Sequence, residues 1–420
     1  MIQSLYIKNF LSFRDGVTFS FEAANDKSFD EYHVVEMANG VRLLKFGVVY
    51  GSNASGKSNL INAFNFLRQF WFQDRSSKDD ETGVVPFLLN ESNNSLETDF
   101  HLIFYVNNLK YIYRLSLSDK RVFSETLDYY PGTQPANLFQ RELSDGKSKI
   151  LFGKKLKITS AELEAIQVKC LPNISFFKAY NMINFSVQKI DDVIGWMKKS
   201  FLQSVEPLTG LQRYTENLVR EDINSKHHII EFLQAADFNI SDIRSRTSIR
   251  NLSSDEIPKF SPYGTQNVIN EPRIQILSTD FVHSVTDDAE TKEYLLPLSS
   301  QSDGTKRVFG LSGLLYTVIN NNAFLPVDEL ESKLHPRLIE FMIQYFLRNS
   351  DQAQLLVTTH YDNLFDEDDL LRKDNFWFTE KNSEGSTSIY RLSDFKGLGR
   401  ISSLQKAYKY GRFGAVPEID

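Results

Sequence analysis

The chain has 420 residues, 41% hydrophobic and 24% charged, so it can bury a large core and we expect one main domain with an insertion. Its net charge of −7 argues against an extended nucleic-acid clamp made by this chain alone, because such binding relies on clustered Lys and Arg. A single cysteine excludes an intramolecular disulfide, and without a signal pattern or an apolar run of roughly 18 residues we expect a soluble cytoplasmic protein.

Residues 51–58, Gly-Ser-Asn-Ala-Ser-Gly-Lys-Ser, have the G-x-x-x-x-G-K-[ST] spacing of a phosphate-binding loop. The apolar run 46–50 before it predicts a buried parallel strand, and the apolar residues after it share one helix face: Leu60, Ile61, Phe64, Leu67 and Trp71. Lys57 would reach the β- and γ-phosphates, and Ser58 would hold Mg²⁺. The segment therefore predicts a site for ATP and Mg²⁺ formed by Gly51, Ser52, Asn53, Ala54, Ser55, Gly56, Lys57, Ser58 and Asn59.

The next third of the chain changes from a β pattern to a helical one. Residues 100–106 and 110–117 alternate around Asn107 and Asn108, which predicts a hairpin, and residues 122–130 continue the sheet. From about 160 to 270 the pattern is helical, without the sustained heptads of long coiled-coil arms. We expect a compact helical lobe that either contacts a second subunit or partner, or covers the core.

Residues 300–307 open an apolar helix with small residues at its start. Ser302, Gly304 and Thr305 could form a phosphate-binding helix end. They could equally belong to an ordinary capped helix, with Ser302 or Asp303 as the N-cap. The residues alone leave both interpretations open.

An apolar run at 323–327 ends in Asp328 and Glu329, as expected for a parallel strand whose carboxyl end lies beside the phosphate-binding loop. Asp328 would be the Mg²⁺ partner, and Glu329 would polarise the attacking water. Pro326 is an irregularity in this run, because proline cannot donate to a sheet ladder.

A further apolar strand at 354–359 ends in His360, after a helix predicted over 337–348. A neutral imidazole there could sense or polarise the γ-phosphate. A lone histidine at a strand end is more often a surface residue, but its place after Asp328 and Glu329 favours the site.

The order of these motifs resembles the ABC-type ATPases of the SMC and recombination-repair kind. Residues 5–14 resemble their first strand, 302–306 stand where the family has its signature motif, and 332–335 where it has the D-loop. The resemblance implies an α/β P-loop fold with a mixed sheet core, a flanking antiparallel sheet and a helical insertion. The signature lacks the usual Leu-Ser-Gly-Gly-Gln form, and we find no clear Q-loop glutamine between the P-loop helix and the insertion.

Four segments, 235–243, 375–380, 385–395 and 410–417, resemble more narrowly the bacterial ATPases of phage-defence and abortive-infection operons, the RloA-like group related to the overcoming-lysogenisation-defect nucleases. This resemblance implies an ATPase that acts as a nucleotide-sandwich homodimer or higher homo-oligomer. It would serve as sensor and scaffold for a separate effector, a nuclease or toxin. The expected domains are 1–158 and 273–395 for the two parts of the ATPase domain, 159–272 for the helical insertion and 396–420 for a tail.

The tail places cations among aromatic residues, which could stack on bases or dock into a partner groove. We favour the partner, because ATPases of the resembled group are typically encoded beside a separate effector. The alternative function is an ATPase of the repair type that acts directly on DNA ends. DNA-stimulated hydrolysis with a strong salt dependence would favour that alternative.

Overall fold

The computed structural model describes residues 1–89, 97–251, 273–287 and 290–417. The strands, numbered in chain order, are β1 Ile2–Lys8, β2 Val17–Ser20, β3 Val34–Glu36, β4 Arg42–Leu44, β5 Phe46–Tyr50, β6 Thr98–Val106, β7 Leu109–Leu117, β8 Val122–Tyr130, β9 Ala136–Ser144, β10 Lys147–Phe152, β11 Asp242–Asn251, β12 Arg273–Asp287, β13 Glu290–Pro297, β14 Phe324–Val327, β15 Gln354–Thr358, β16 Phe376–Lys381 and β17 Thr387–Arg391.

The helices are α1 Asp30–His33, α2 Lys57–Phe72, α3 Ser160–Lys169, α4 Phe176–Tyr180, α5 Gln188–Lys199, α6 Gln212–Glu221, α7 Ile223–Ala235, α8 Asp303–Asn320, α9 Pro336–Asn349 and α10 Leu404–Lys409. The chain forms two compact units. The first comprises Met1–Thr209, Val318–Ser332 and Ile339–Asp420, and the second comprises Gly210–Thr317 and Lys333–Leu338.

The central sheet of the first unit has the order β14-β15-β5-β16-β17. The pairs among β14, β15, β5 and β16 are parallel, and β17 is antiparallel to β16. Strands β5, β14 and β15 are buried along their whole length, as expected for apolar strands covered on both faces. The mixed core sheet is therefore confirmed.

Pro326 fits β14 because its missing donor faces away from β15. Backbone groups point alternately to the two sides of a strand, and the Pro326 carbonyl accepts from Val205 N at 3.0 Å on the side opposite β15. Phe324 N donates to Ser200 O at 2.7 Å on that same side. The ladder to β15 thus needs no donor from the proline, and residues 200–205 cover this edge of the sheet.

A seven-stranded sheet of order β10-β9-β8-β7-β6-β1-β2 flanks the core sheet in the first unit, and all its pairs are antiparallel. The predicted hairpin joins β6 to β7 through Asn107 and Asn108, whose φ values of 50° and 61° are those of a type I′ turn. The predicted hairpin and flanking antiparallel sheet are both confirmed.

Aromatic side chains fill the core where α2 packs in the first unit. Phe64 of α2 lies 4.8 Å, centroid to centroid, from Phe324 of β14 and 6.3 Å from Phe19 of β2. Trp71 at the end of α2 meets Tyr113 of β7 edge to face. Edge-to-face and tilted pairs of this kind are favourable beyond their buried area. They fix α2, and with it the loop that precedes α2, to strands of both sheets.

The second unit contains α6, α7 and most of α8, with the antiparallel sheet β11-β12-β13. Thr215 of α6 packs directly on α8, donating to Gly310 O at 3.1 Å, and a Cβ on Gly313 would lie 2.5 Å from its hydroxyl. The glycine therefore permits the close approach of the two helices.

The helical lobe predicted over 159–272 differs from the structure. Helices α3, α4 and α5 belong to the first unit, and residues 242–251, within the stretch whose pattern was interpreted as helical, form strand β11. Residues 242–251 form a strand because they pair with β12, the next strand in the chain. Residues 252–272 of the predicted lobe lie outside the described residues.

The aromatic residues of the tail differ in their exposure. Phe413 is buried against Phe378 of β16, and Tyr408 of α10 packs on Tyr50, whereas Tyr410 is 88% exposed. Phe413 and Tyr408 therefore pack against the first unit, and Tyr410 faces solvent. Within the described part of the chain, no helix is both long and apolar enough to cross a membrane.

Candidate functional site

The loop between β5 and α2 has the geometry expected from its sequence. Strand β5 ends at Tyr50, and α2 begins at Lys57 with Gly56 as its N-cap at φ 113°. The helix residues predicted to face the core are buried: Leu60, Ile61, Phe64, Leu67 and Trp71. The backbone N–H groups at the start of α2 have no intrahelical acceptor, an arrangement that favours anions.

Two glycines permit the loop to approach its neighbours closely. A Cβ on Gly51 would lie 2.4 Å from Ser55 Oγ and 2.5 Å from Thr379 Oγ1. A Cβ on Gly56 would lie 2.5 Å from Thr387 Oγ1. All three distances are far below van der Waals contact, so the loop accepts only glycine at these two positions unless its neighbours move.

Hydroxyl groups hold the loop from the side of β16 and β17. Thr387 Oγ1 lies 2.8 Å from both Ser55 O and Ser12 Oγ. Asn59 Nδ2 donates to Ser12 Oγ at 2.8 Å, and Ser55 Oγ lies 2.7 Å from Thr379 Oγ1. Ser12, Thr379 and Thr387 were not predicted, because no motif or spacing in the sequence selects them as site residues.

Lys57 is buried within the loop. Its ammonium donates to Gly51 O at 2.8 Å and to Ser52 O at 3.1 Å. Burial lowers the pKa of Lys57, and the charges of Asp328, Glu331 and Glu329 oppose this shift. The lysine therefore lies in the electrostatic field of the acids that follow β14.

The acids at the end of β14 are joined to β15 by Thr358. The Thr358 hydroxyl donates to Asp328 Oδ1 and accepts from Glu329 N at 2.9 Å. Leu330 N donates to Thr358 O at 3.0 Å, and Asp328 N to Val205 O at 2.8 Å. Glu329 has a φ of 48° and an exposed side chain. The backbone thus turns sharply at the residue predicted to polarise water.

His360 follows β15 and has an exposed side chain. Its backbone N donates to Glu331 Oε1 at 2.6 Å. Glu331 was not predicted as a site residue, although the sequence places this acid two residues after Glu329. The first unit therefore contains Lys57, Asp328, Glu329 and His360, at the carboxyl ends of its parallel strands.

Ser302, Gly304 and Thr305 lie in the second unit. Ser302 Oγ accepts from Thr305 N at 3.1 Å, so the serine caps α8. A Cβ on Gly304 would lie 3.2 Å from Lys333 O. The capping geometry therefore occurs, and Gly304 lies beside Lys333 within the second unit.

Ser58 and Asp328 suit Mg²⁺, because hydroxyl and carboxylate oxygens are the ligands that this ion prefers. Ser58 is exposed in the first turn of α2, and Asp328 is half-buried at the end of β14. The donor set therefore fits a Mg²⁺ ion accompanied by phosphate oxygens.

A strand, a glycine-lined loop and a helix start, with two acids after a nearby parallel strand, define the P-loop class of nucleotide-binding domains. Residues 46–191 and 200–366 match the family described as "AAA domain, putative AbiEii toxin, Type IV TA system". The match spans most of the chain, which therefore belongs to this family of AAA domains.

Among solved structures, the chain is similar to the SMC head domain from Thermotoga maritima, with 14% identity, a TM-score of 0.43, and coverage of 93% of this chain and 98% of that one. A Smc head domain with an extended coiled coil from Pyrococcus furiosus, bound to the C-terminal domain of ScpA, gives 15% identity, a TM-score of 0.37 and 98% coverage of both chains. No curated protein matches the sequence.

Proposed function

We propose that this chain binds ATP with Mg²⁺, hydrolyses ATP in the cytoplasm, and thereby controls a separate effector in a bacterial antiphage defence system. The observation that carries the proposal is the position of Lys57, Asp328, Glu329 and His360 at the carboxyl ends of strands in one unit. The effector, a nuclease or toxin, is inferred from the narrower resemblance, and the family's description in terms of a toxin–antitoxin system supports it.

Each residue has a role that its chemistry allows. Lys57 binds the β- and γ-phosphates, with the loop amides and the start of α2. Ser58 and Asp328 hold Mg²⁺, which neutralises phosphate charge when bound. Glu329 accepts a hydrogen bond from the attacking water and orients it, and His360 contacts the γ-phosphate.

We further propose that the active unit is a nucleotide-sandwich dimer. Ser302, Gly304 and Thr305 lie at a helix start, which favours anions. In a symmetric pair, each subunit offers this helix end to the nucleotide bound by the other. Two nucleotides would then be buried in one interface.

Turnover and binding of ATP by the wild type and Glu329→Gln test the hydrolysis. We expect the variant to bind ATP while turnover falls by roughly a hundredfold or more, because an amide is a poor acceptor for the water proton. Equal turnover in the two proteins would contradict the role of Glu329. A wild type that binds ATP without hydrolysing it would refute the enzymatic function.

Sedimentation of Glu329→Gln with and without ATP tests the dimer, which should form with ATP. Ser302→Arg in this background should weaken the dimer and spare ATP binding, because the arginine would occupy the helix end. Ser299→Arg, which adds the same side chain at an exposed position three residues earlier, is the control. A monomer under all conditions would rule the sandwich out.

Phage-resistance assays test the defence role. We expect resistance to require both this chain and the product of the neighbouring open reading frame, and to be lost in Lys57→Ala. Resistance that survives Lys57→Ala would separate the nucleotide site from defence.

A further inference from the structure

The turn after β14 carries a third carboxylate, Glu331, to which the proposed hydrolysis assigns no role. Its Oε1 accepts from the backbone N of His360 at 2.6 Å. Its Oε2 is shielded from solvent and has no hydrogen-bond partner among the described residues. One carboxylate thus connects the acidic turn directly to the backbone of the histidine.

This contact supplies a hydrogen bond that the sheet does not provide. The pairing of β15 with β5 ends at Thr358 opposite Val49, and Thr359 N then donates to Val49 O at 3.2 Å. His360 N lies one residue beyond this last ladder bond. A carboxylate that accepts a backbone N–H makes a strong, charge-assisted hydrogen bond. Glu331 therefore fixes the peptide from which the imidazole extends.

The same carboxylate acts electrostatically on the phosphate-binding loop. Its charge is one of three that stabilise the buried Lys57 ammonium, and it also acts on Tyr50 at the end of β5. Thr358 already joins Asp328 and Glu329 to β15. Glu331 adds a second connection between these strand ends, at the histidine itself.

We propose that Glu331 is a positioning residue that holds His360 in place for ATP hydrolysis. The inference rests on the proposed function, in which His360 contacts the γ-phosphate. The positioning role requires an acceptor oxygen, which glutamine has and alanine lacks; loss of the negative charge weakens this hydrogen bond without removing it. A base or a metal-binding group at this position would need the charge.

Steady-state and single-turnover ATP hydrolysis by Glu331→Ala and Glu331→Gln separates these roles. We expect Glu331→Ala to lower kcat by roughly tenfold or more, because even a small displacement of His360 from the reacting phosphate slows the reaction. ATP affinity should change by less than about threefold, and Glu331→Gln should recover most of kcat. Glu340→Ala is the control, since Glu340 accepts from the hydroxyl of the next residue, Tyr361, at 2.6 Å.

A double-variant cycle tests whether Glu331 acts through His360. If it does, His360→Ala combined with Glu331→Ala should be no slower than His360→Ala alone, within about twofold. Amide hydrogen exchange at His360 gives a reading that does not depend on turnover. Exchange should accelerate in Glu331→Ala and remain close to the wild-type rate in Glu331→Gln.

Three results would overturn the inference: Glu331→Gln as slow as Glu331→Ala, Glu331→Ala as fast as the wild type, or multiplied losses in the double variant. If the wild type hydrolyses no ATP, the proposed function fails. Exchange at His360 then still decides whether Glu331 holds this peptide, and unchanged exchange in Glu331→Ala would refute the contact.

Discussion

Gly56→Ala tests how closely the phosphate-binding loop is held by its neighbours. A Cβ at this position would lie 2.5 Å from Thr387 Oγ1, 2.7 Å from Thr387 Cγ2 and 3.0 Å from Ser12 Oγ, whereas ordinary contacts begin at 3.4 Å. The positive φ of 113° adds about 1–2 kcal/mol for a residue with a Cβ. Displacing Thr387 adds about 1–3 kcal/mol, as in overpacked cores. We therefore expect Gly56→Ala to lower the free energy of unfolding by about 2–5 kcal/mol and to weaken ATP binding.

Gly40→Ala separates the two contributions, because Gly40 has a φ of 79° and a Cβ added there would meet nothing within 4 Å. Gly40→Ala should lower the free energy of unfolding only by the cost of the positive φ, about 1–2 kcal/mol. Denaturant unfolding measures both variants, with the slope checked for a change in the exposed surface. In a Thr387→Ala background, the cost of Gly56→Ala should fall toward that of Gly40→Ala. Equal losses for Gly56→Ala and Gly40→Ala in the wild-type background would refute the reasoning.

Three further outcomes are expected. Lys57→Ala should weaken ATP binding by about 2–5 kcal/mol in calorimetry, because the triphosphate loses its main cation, and wild-type affinity would contradict the P-loop assignment. Burial, aided by the Arg372 charge, lowers the pKa of His33 from 6.5 to about 4. The free energy of unfolding should therefore be highest above pH 6.5 and fall by about 3 kcal/mol in all as the pH is lowered toward 4. His33→Gln should flatten this dependence in unfolding titrations, and an unchanged slope would exclude His33 as its source. Phe413→Ala should cost about 3–5 kcal/mol, whereas the exposed Tyr410→Ala should stay within about 0.5 kcal/mol; similar losses would contradict the packing of the tail.

The elements that surround the phosphate-binding loop were predictable because their signals are local. Strand β5, the buried face of α2 and the Asn107–Asn108 turn each follow from a few neighbouring residues. The hydroxyl contacts of the loop were not predictable in this way, since Thr387 and Ser12 lie 375 positions apart. The order β5-β16-β17 brings Thr379 and Thr387 to the loop that follows β5, and sheet order is not a local property.

Glu331 was missed for a different reason. Glu329, two residues before Glu331, has a left-handed φ, which redirects the chain just after β14. A straight continuation of the strand would not predict where a side chain two residues later points. The contact of Glu331 with His360 N depends on this turn.

At Glu329, the left-handed backbone favours glycine for stability, whereas the proposed role in hydrolysis needs the carboxylate. Glycine adopts such a φ without the penalty of about 1 kcal/mol that a side chain incurs. Glu329→Gly should therefore raise the free energy of unfolding while removing the carboxylate. If Glu329 has the role proposed for it, variants selected for thermal resistance alone would accumulate glycine or asparagine at this site and lose ATP turnover.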